Sequence, residues 1–527
     1  MPPMSRRWSP WVPVLVTGMV AAMAACRGCG CGGPAPSAPD AGPGSAEGGR
    51  QVDAVDGGTS PRNAGARAER PPEGGGAPKK ATGTGGEGVR ERVSKPIPKP
   101  SPSERPPRRE SGKGTEKKTP KPSATAAKGE RKPAVPITSH AEREHVPAAP
   151  PVTLEGTPPP RGGFQTFQPA SVVIGQQDFT SGAASSPPAA GALRQPYGDP
   201  ALHRGTVFLP DFGNNRILGF RRLPSVNGAP ADFVLGQATF GDDAFGNGRD
   251  RMRAPLTVRA YGGKLFAVDH FQHRVLIWNE VPASSDAPAD VVVGQAYFGA
   301  GASGACTPDR LYVPVSLYVA GGKLIVSDSY HHRVLVWNAV PTRSGTPADL
   351  VLGQPDLTTC SGGGEPSART LHYPGGLWSD GRRLVAADQQ NHRVLIWNSF
   401  PTRNQAPADV VLGQAGMDTR APDTTAGTLR RPISVTVSDG RLFVSDHGNH
   451  RVLAWNGIPA DSGTPADLVL GQADFTHGAR NDDDQDGRPD DHPSARTLNG
   501  PAGLLVTEQG LLVGDEGNNR FLLFRPR

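Results

Sequence analysis

Four histidines occupy one local setting: His273, His332, His392 and His450 each stand four residues after an aspartate and immediately before an arginine. His270, His331 and His447 lie beside them. Imidazoles hold zinc when three or four donors converge to about 2.0–2.3 Å from one point. A second group is acidic. In "NDDDQDGRPDDHP", Asp482, Asp484 and Asp486 precede Gly487, the D-x-D-x-D-G spacing in which alternate carboxylates wrap calcium and glycine permits a tight turn. Asp490 offers a further oxygen. Pro493 stands where a bidentate glutamate would complete an EF-hand loop, so the calcium site expected here is an abbreviated one. Cys306 and Cys360 could staple neighbouring loops in an oxidising compartment if their Cα atoms come within about 7 Å.

Whether the histidines meet depends on what carries them. The dipeptide Gly-Gln begins at Gly175, Gly236, Gly294, Gly353, Gly413 and Gly471, at intervals of 58 to 61 residues. Each copy holds four short strand-like runs, in the fifth "PISVTVSDG", "RLFVSD", "HRVLAWN" and "ADLVLGQ", with glycine turns and no helical period. Such a repeat predicts propeller blades. Histidines at one repeat position then sit on separate blades and point apart, which favours a structural reading over a metal site. In that reading an aspartate in the turn between strands two and three accepts backbone N–H groups, and the arginine five residues later bridges to it. The pairs are Asp211/Arg216, Asp269/Arg274, Asp328/Arg333, Asp388/Arg393, Asp446/Arg451 and Asp515/Arg520. Trp278, Trp337, Trp397 and Trp455 recur at the end of the third run and are expected in the core between blades.

The hexapeptides "DFGNNR", "DHFQHR", "DSYHHR", "DQQNHR", "DHGNHR" and "DEGNNR", each followed by an apolar run, closely resemble the NHL repeat. The resemblance spans roughly the last 355 residues. It implies an all-β chain: a six-bladed β-propeller of four-stranded antiparallel blades over residues 162–527. Long segments between "GQ" and the next proline depart from the family's blade length and leave the function open. The repeat is entered on a fourth strand, "ASVVIGQ", and left on a third, "RFLLF". The N-terminal strand, residues 171–176, is therefore expected to close the last blade beside residues 519–524, which removes a free sheet edge.

Some six-bladed propellers are lactonases, or lyases of the peptide-amidating kind, with a metal at the mouth of the central channel. Here each first strand opens with proline, and two positions later stand Gly198, Thr257, Ser316, Gly376, Ser434 and Gly503. None is a strong metal ligand, so a tightly packed channel is expected, catalytic residues are not assigned, and an enzyme is the alternative reading. In a strand meander the turns between strands two and three share a face with the inter-blade loops. There the pairs His270–Phe271, Ser329–Tyr330 and Gln389–Gln390 break the repeat and are the expected binding residues for a protein or glycan partner.

The 527 residues carry a net charge of +6, but residues 79–144 alone hold 17 Lys and Arg against 8 Asp and Glu. The remainder is slightly acidic, and the basic stretch has no aromatic residue to stack on bases, so no nucleic-acid partner is expected. Residues 1–25 read as a signal peptide: a basic "MSRRW", a short apolar run and small residues. "MAAC", ending at Cys26, resembles the lipobox of bacterial lipoproteins, which implies a lipidated Cys26 and a membrane partner through that lipid. The location expected is the cell envelope, at the outer membrane. Residues 26–161 are rich in Pro, Gly and Lys and poor in apolar residues, the composition of a disordered tether. A cell-wall spacer acting through this basic tether is a further alternative. A monomer is expected, with no cofactor beyond calcium.

Overall fold

The computed structural model describes residues 163–301, 304–362 and 364–527. The signal segment, Cys26 and the tether expected at 26–161 lie outside the described residues. Six four-stranded antiparallel sheets form a ring, and no helix among the described residues is long and apolar enough to cross a membrane. Five blades follow chain order. Blade 1 is Ala201–His203, Thr206–Asp211, Arg216–Phe220 and Phe233–Leu235; blade 4 is Pro374–Ser379, Leu384–Asp388, Arg393–Trp397 and Val410–Leu412. The third strands, such as "RVLVW" at Arg333–Trp337, are buried along their whole length. That is why they lack the alternation of a half-exposed strand: both faces pack on neighbouring blades.

Packing is shared across joints. Each of six apolar clusters draws its residues from two adjacent blades. The indoles of Trp278, Trp337, Trp397 and Trp455 lie in these joints, and each donates its N–H to a carbonyl nine residues later, at 2.9–3.1 Å. The Gly-Gln signature is a joint device as well. Gly413 has φ +84, and a Cβ there would stand 2.5 Å from Leu429 of the next blade's entry. The Gln414 amide donates to the carbonyls of His392 and Ala421, tying a turn to the loop that follows it.

The sixth blade joins the two ends of the ring. Pro501–Thr507, Gly510–Asp515 and Arg520–Phe524 are completed by Val172–Ile174, in the register Val172↔Leu523, Val173↔Leu522 and Ile174↔Phe521. Gly163 and Arg527 exchange backbone hydrogen bonds just beyond it. Val172, Val173 and Ile174 are fully buried, each contributing about 1.5–3 kcal/mol by burial. A chain beginning at residue 181 is therefore expected to lose at least about 5 kcal/mol of stability on that per-residue scale. A calorimetric melt compared with the full chain checks this, and an unchanged melting temperature would show that the ring closes without the strand.

Candidate functional site

Every turn between strands two and three is built alike. A short 3-10 turn follows the aspartate and ends on a residue in the left-handed region: Asn215, His273, His332, His392, His450 or Asn519, with φ of 52–56°. Asparagine and histidine tolerate that conformation better than most residues, which accounts for the repeated Asn/His-Arg pair. In all six pairs, Asp211–Arg216, Asp269–Arg274, Asp328–Arg333, Asp388–Arg393, Asp446–Arg451 and Asp515–Arg520, the arginine Nε donates to the aspartate Oδ2 at 2.7–2.8 Å. Both side chains of each pair are fully buried. Oδ1 of the same aspartate accepts a backbone N–H from the preceding inter-blade loop, Tyr312 for Asp328 and His372 for Asp388.

The arginine bridges to its aspartate as the sequence suggests, and its terminal guanidinium nitrogens also leave the turn. Arg451 donates to the carbonyls of Thr425 and Thr428 in the loop before its blade and to that of Phe475, at 2.5 Å, in the loop after it. Arg393 likewise reaches Ser367 and Thr370 before blade 4 and Met417 after it. Arg274 departs from this pattern. It donates to Gly248 and Arg251, but its remaining nitrogen turns back to the Asn247 carbonyl at 2.7 Å, and among the described residues of the following loop it meets the Phe298 ring, 6.0 Å from the centroid. Burial pushes the carboxyls of Asp211, Asp388 and Asp446 up, and that of Asp269 to about 6, while the arginines pull the other way. These twelve side chains are committed to the fold.

The channel is nearly filled. The small residues of the first strands meet face to face: a Cβ on Gly503 would stand 1.9 Å from the Gly198 carbonyl, and one on Gly376 2.7 Å from the Ser434 Cα. One acid sits inside, and sequence reasoning passed over it. Asp199 accepts from the Ser434 hydroxyl and, at 3.0 Å, from the Leu504 N–H, while its other oxygen pairs with Arg259 at 2.9 Å. It thus pins blade 1 to blades 2, 5 and 6. The signal was a spacing: 15 residues separate Pro196 from Asp211, against 14 between the matching residues of every other blade. Tyr197 packs on Phe212 and His447 beside it, with ring centroids 6.0 and 6.3 Å apart.

On the loop-bearing face the expected binding pairs divide. His270 and Ser329 are buried, and His270 Nδ1 lies 2.8 Å from the Pro314 carbonyl, so neither presents surface. The first residue of the turn points toward the ring axis and only the second points outward. Phe271, Tyr330 and Gln390 are half-buried, as is Gln389. In blade 3 the outward position joins a chain of rings, Tyr312–Tyr330 at 5.5 Å, Tyr330–Tyr373 at 5.0 Å, and Tyr373 on His332 and His372 at 4.5 and 5.1 Å, while Phe271 of blade 2 packs on Phe212 and His270 at 5.9 and 4.5 Å. The Arg253 guanidinium lies 5.6 Å from the Phe271 ring and 4.5 Å from that of Phe245, which is 60% exposed. Blades 1, 5 and 6 carry glycine at the outward position, where a Cβ would collide with Arg194, Arg430 or Asn499. The face therefore has an aromatic arc over blades 2 and 3 that ends on Tyr373 at the entry to blade 4, and glycine at the outward position of blades 1, 5 and 6.

The acidic loop brings together Asp482, Asp484 and Asp490, whose oxygens lie within 4.8 Å of one another. Asp486 instead faces Arg488, 4.0 Å away. Asp482 is buried and accepts N–H bonds from Asp486 and Gly487; burial, with the two neighbouring carboxylates, raises its pKa. Cys306 and Cys360, in successive inter-blade loops, form a disulfide with Cα atoms 6.1 Å apart.

Residues 429–455, from Leu429 through the fifth-blade turn to Trp455, match the family model of the NHL repeat. The chain carries an NHL repeat. The other five turns share the NHL segment's Asp–Arg geometry. No curated protein sequence matches the chain. Among solved structures, a gluconolactonase from Xanthomonas campestris is similar over 68% of this chain and 99% of its own, at 15% identity and a TM-score of 0.38. A streptogramin B lyase is similar over 66% and 96%, at 11% identity and 0.36, and a virginiamycin B lyase from Staphylococcus aureus over 64% and 98%, at 11% and 0.34.

The close backbone approach in the channel makes a prediction. Gly503→Ala should destabilise the propeller by about 1–3 kcal/mol through overpacking, read as a lower urea midpoint at constant slope. An unshifted midpoint would show that the inner strands are free to move apart.

Proposed function

We propose that the chain is a binding or scaffold protein of the cell envelope, anchored through a lipid on Cys26 and held out by residues 26–161, whose propeller recognises a protein or glycan partner. The observation that carries this reading is the aromatic arc. The recurrent polar side chains are spent on turns and joints, and Asp199 in the channel has both oxygens engaged. What varies from blade to blade is the set of half-buried rings on one face, and rigid aromatic groups of this kind carry much of the energy in binding interfaces. Rings fixed by their neighbours lose little side-chain entropy when a partner lands.

Calcium belongs to this proposal as a structural ion of the last inter-blade loop. Asp482, Asp484 and Asp490 would supply hard oxygen ligands, with Gly487 at φ +83 allowing the turn. Addition of about 1 mM calcium, a level suited to weak extracytoplasmic sites, should raise the melting temperature of the wild type and not of Asp484→Asn. No shift in either would remove the ion.

The partner reading is tested by capture from envelope extract. Replacing Phe271 and Tyr330 together by Ala should weaken capture by about 2–4 kcal/mol of affinity, the scale of interface hot spots, while the melt stays nearly unchanged. Equal capture by this variant would move the partner off the arc. Capture by residues 26–161 alone, and not by 163–527, would make the tether the working part.

A further inference from the structure

The six joints between blades share one contact that the repeat does not announce. The left-handed residue of each turn reaches across to the next blade and accepts the backbone N–H of the residue preceding that blade's first proline. In two joints the acceptor is an amide oxygen: Asn215 takes Ala254 N–H at 2.9 Å, and Asn519 takes Gln195 N–H at 2.8 Å. In the other four it is an imidazole Nδ1. His273 takes Val313 at 2.9 Å, His332 takes Tyr373 at 3.3 Å, His392 takes Arg431 at 3.0 Å and His450 takes Gly500 at 2.9 Å. The donor residues are themselves in the left-handed region, with φ of 47–67°. For a β-branched residue such as Val313, φ +52, that conformation is strained and persists only where the surroundings hold it.

We propose that the ring carries a mild-acid switch: the joints between blades 2 and 3, 3 and 4, 4 and 5, and 5 and 6 are latched only while their histidine is neutral, whereas the two joints flanking blade 1 are latched by asparagine and ignore pH. An imidazolium donates at both nitrogens and cannot accept the N–H, so protonation turns each latch into a repulsion between two donors. Blade 1, which follows the blade that joins the two ends of the ring, keeps both its latches.

The surroundings of each ring act in the same direction. Burial is the largest cause in all four, lowering the pKa of His332, His392 and His450 to about 4 and lowering that of His273 as well. The charged and titratable neighbours are His372, His331 and Asp328 around His332; Arg431, Arg430 and His372 around His392; His447, Arg480 and Arg430 around His450; and Asp328, Arg253 and His331 around His273. Only Asp328 favours the charged form. With the folded values below the ordinary one near 6.5, the latches stabilise fully above about pH 6.5 and are lost as pH falls toward about 4. The buried aspartates with raised values act with the opposite sign, so a whole-protein melt mixes the two effects and single amides separate them. His273 and His332 hold the joints under the aromatic arc, His273 with its ring 5.1 Å from Tyr312. Acid release of a partner from that arc would follow, a consequence that rests on the binding proposal; the test below does not.

Hydrogen exchange of the full chain at pH 7 and pH 4.5, corrected for intrinsic rates, reads the latches one by one. Protection of the Tyr373, Arg431 and Gly500 amides should fall by on the order of tenfold or more at the lower pH, as expected for values moved from about 6.5 to about 4, and that of Val313, whose His273 is lowered as well, should fall in the same direction. The Gln195 and Ala254 amides should keep theirs. Loss at all six amides, or at none, would overturn the proposal. In His392→Asn, a change the chain itself makes in two blades, Arg431 should keep its protection at pH 4.5 while the other three lose it; continued loss at Arg431 would equally overturn it.

Discussion

A carboxylate and a guanidinium shut away from water at the tip of every blade set the terms for the rest of this propeller. Two such charges are costly to bury unless each lone pair and each N–H finds a partner. In blade 4 they do: one aspartate oxygen takes the arginine, the other takes a loop amide, and the remaining guanidinium nitrogens take loop carbonyls. Inter-blade segments that differ in sequence are therefore fastened at fixed offsets. From Arg274 through Arg451 to Arg520, in blades 2 to 6, the same arginine nitrogen reaches the carbonyls 26 and 23 residues before it. Between those fasteners the loops are free to vary, and that freedom separates the scaffold from the face it presents. Arg520 also reaches across the closure, to the Phe179 carbonyl beyond the strand that completes its blade.

Much of this was legible in the residues. The repeat fixed blade number, the odd phase of its first and last copies placed Val172–Ile174 in blade 6, and the constant Asp-to-Arg spacing named the buried pairs. Spacing along one chain reports what a residue does within its own turn. It is silent on contacts across a joint, so the reach of Arg274 and Arg451 into neighbouring loops was hidden. For the same reason the histidines could be recognised as unfit for a shared metal without their acceptor role being seen. Direction was the second blind spot. In a turn of three residues, adjacent side chains diverge, so His270 and Ser329 went inward while Phe271 and Tyr330 stayed at the surface. Asp199 escaped notice because a search at the position of the small residues looks one place too early in the blade that carries an extra residue.

The division of labour follows from those contacts. Residues that recur six times are buried or bonded across blades and hold the ring. The rings that do not recur gather on one arc, where Tyr312, Tyr330 and Tyr373 brace one another edge to face. Such rings keep their geometry without a partner, and their fixed spacing is what a binding surface on a rigid scaffold requires.

The claim beneath all of this is that the buried Asp–Arg pair acts as a unit. A double-mutant cycle on Asp388 and Arg393, with urea unfolding of the wild type, Asp388→Asn, Arg393→Met and the double variant, measures it directly. Each single change leaves a buried group without its partner and should cost about 3–5 kcal/mol, with a coupling energy of at least about 2 kcal/mol because the double variant loses far less than the sum. Losses that add to within about 0.5 kcal/mol would show that the two side chains stabilise the blade independently and would contradict the account.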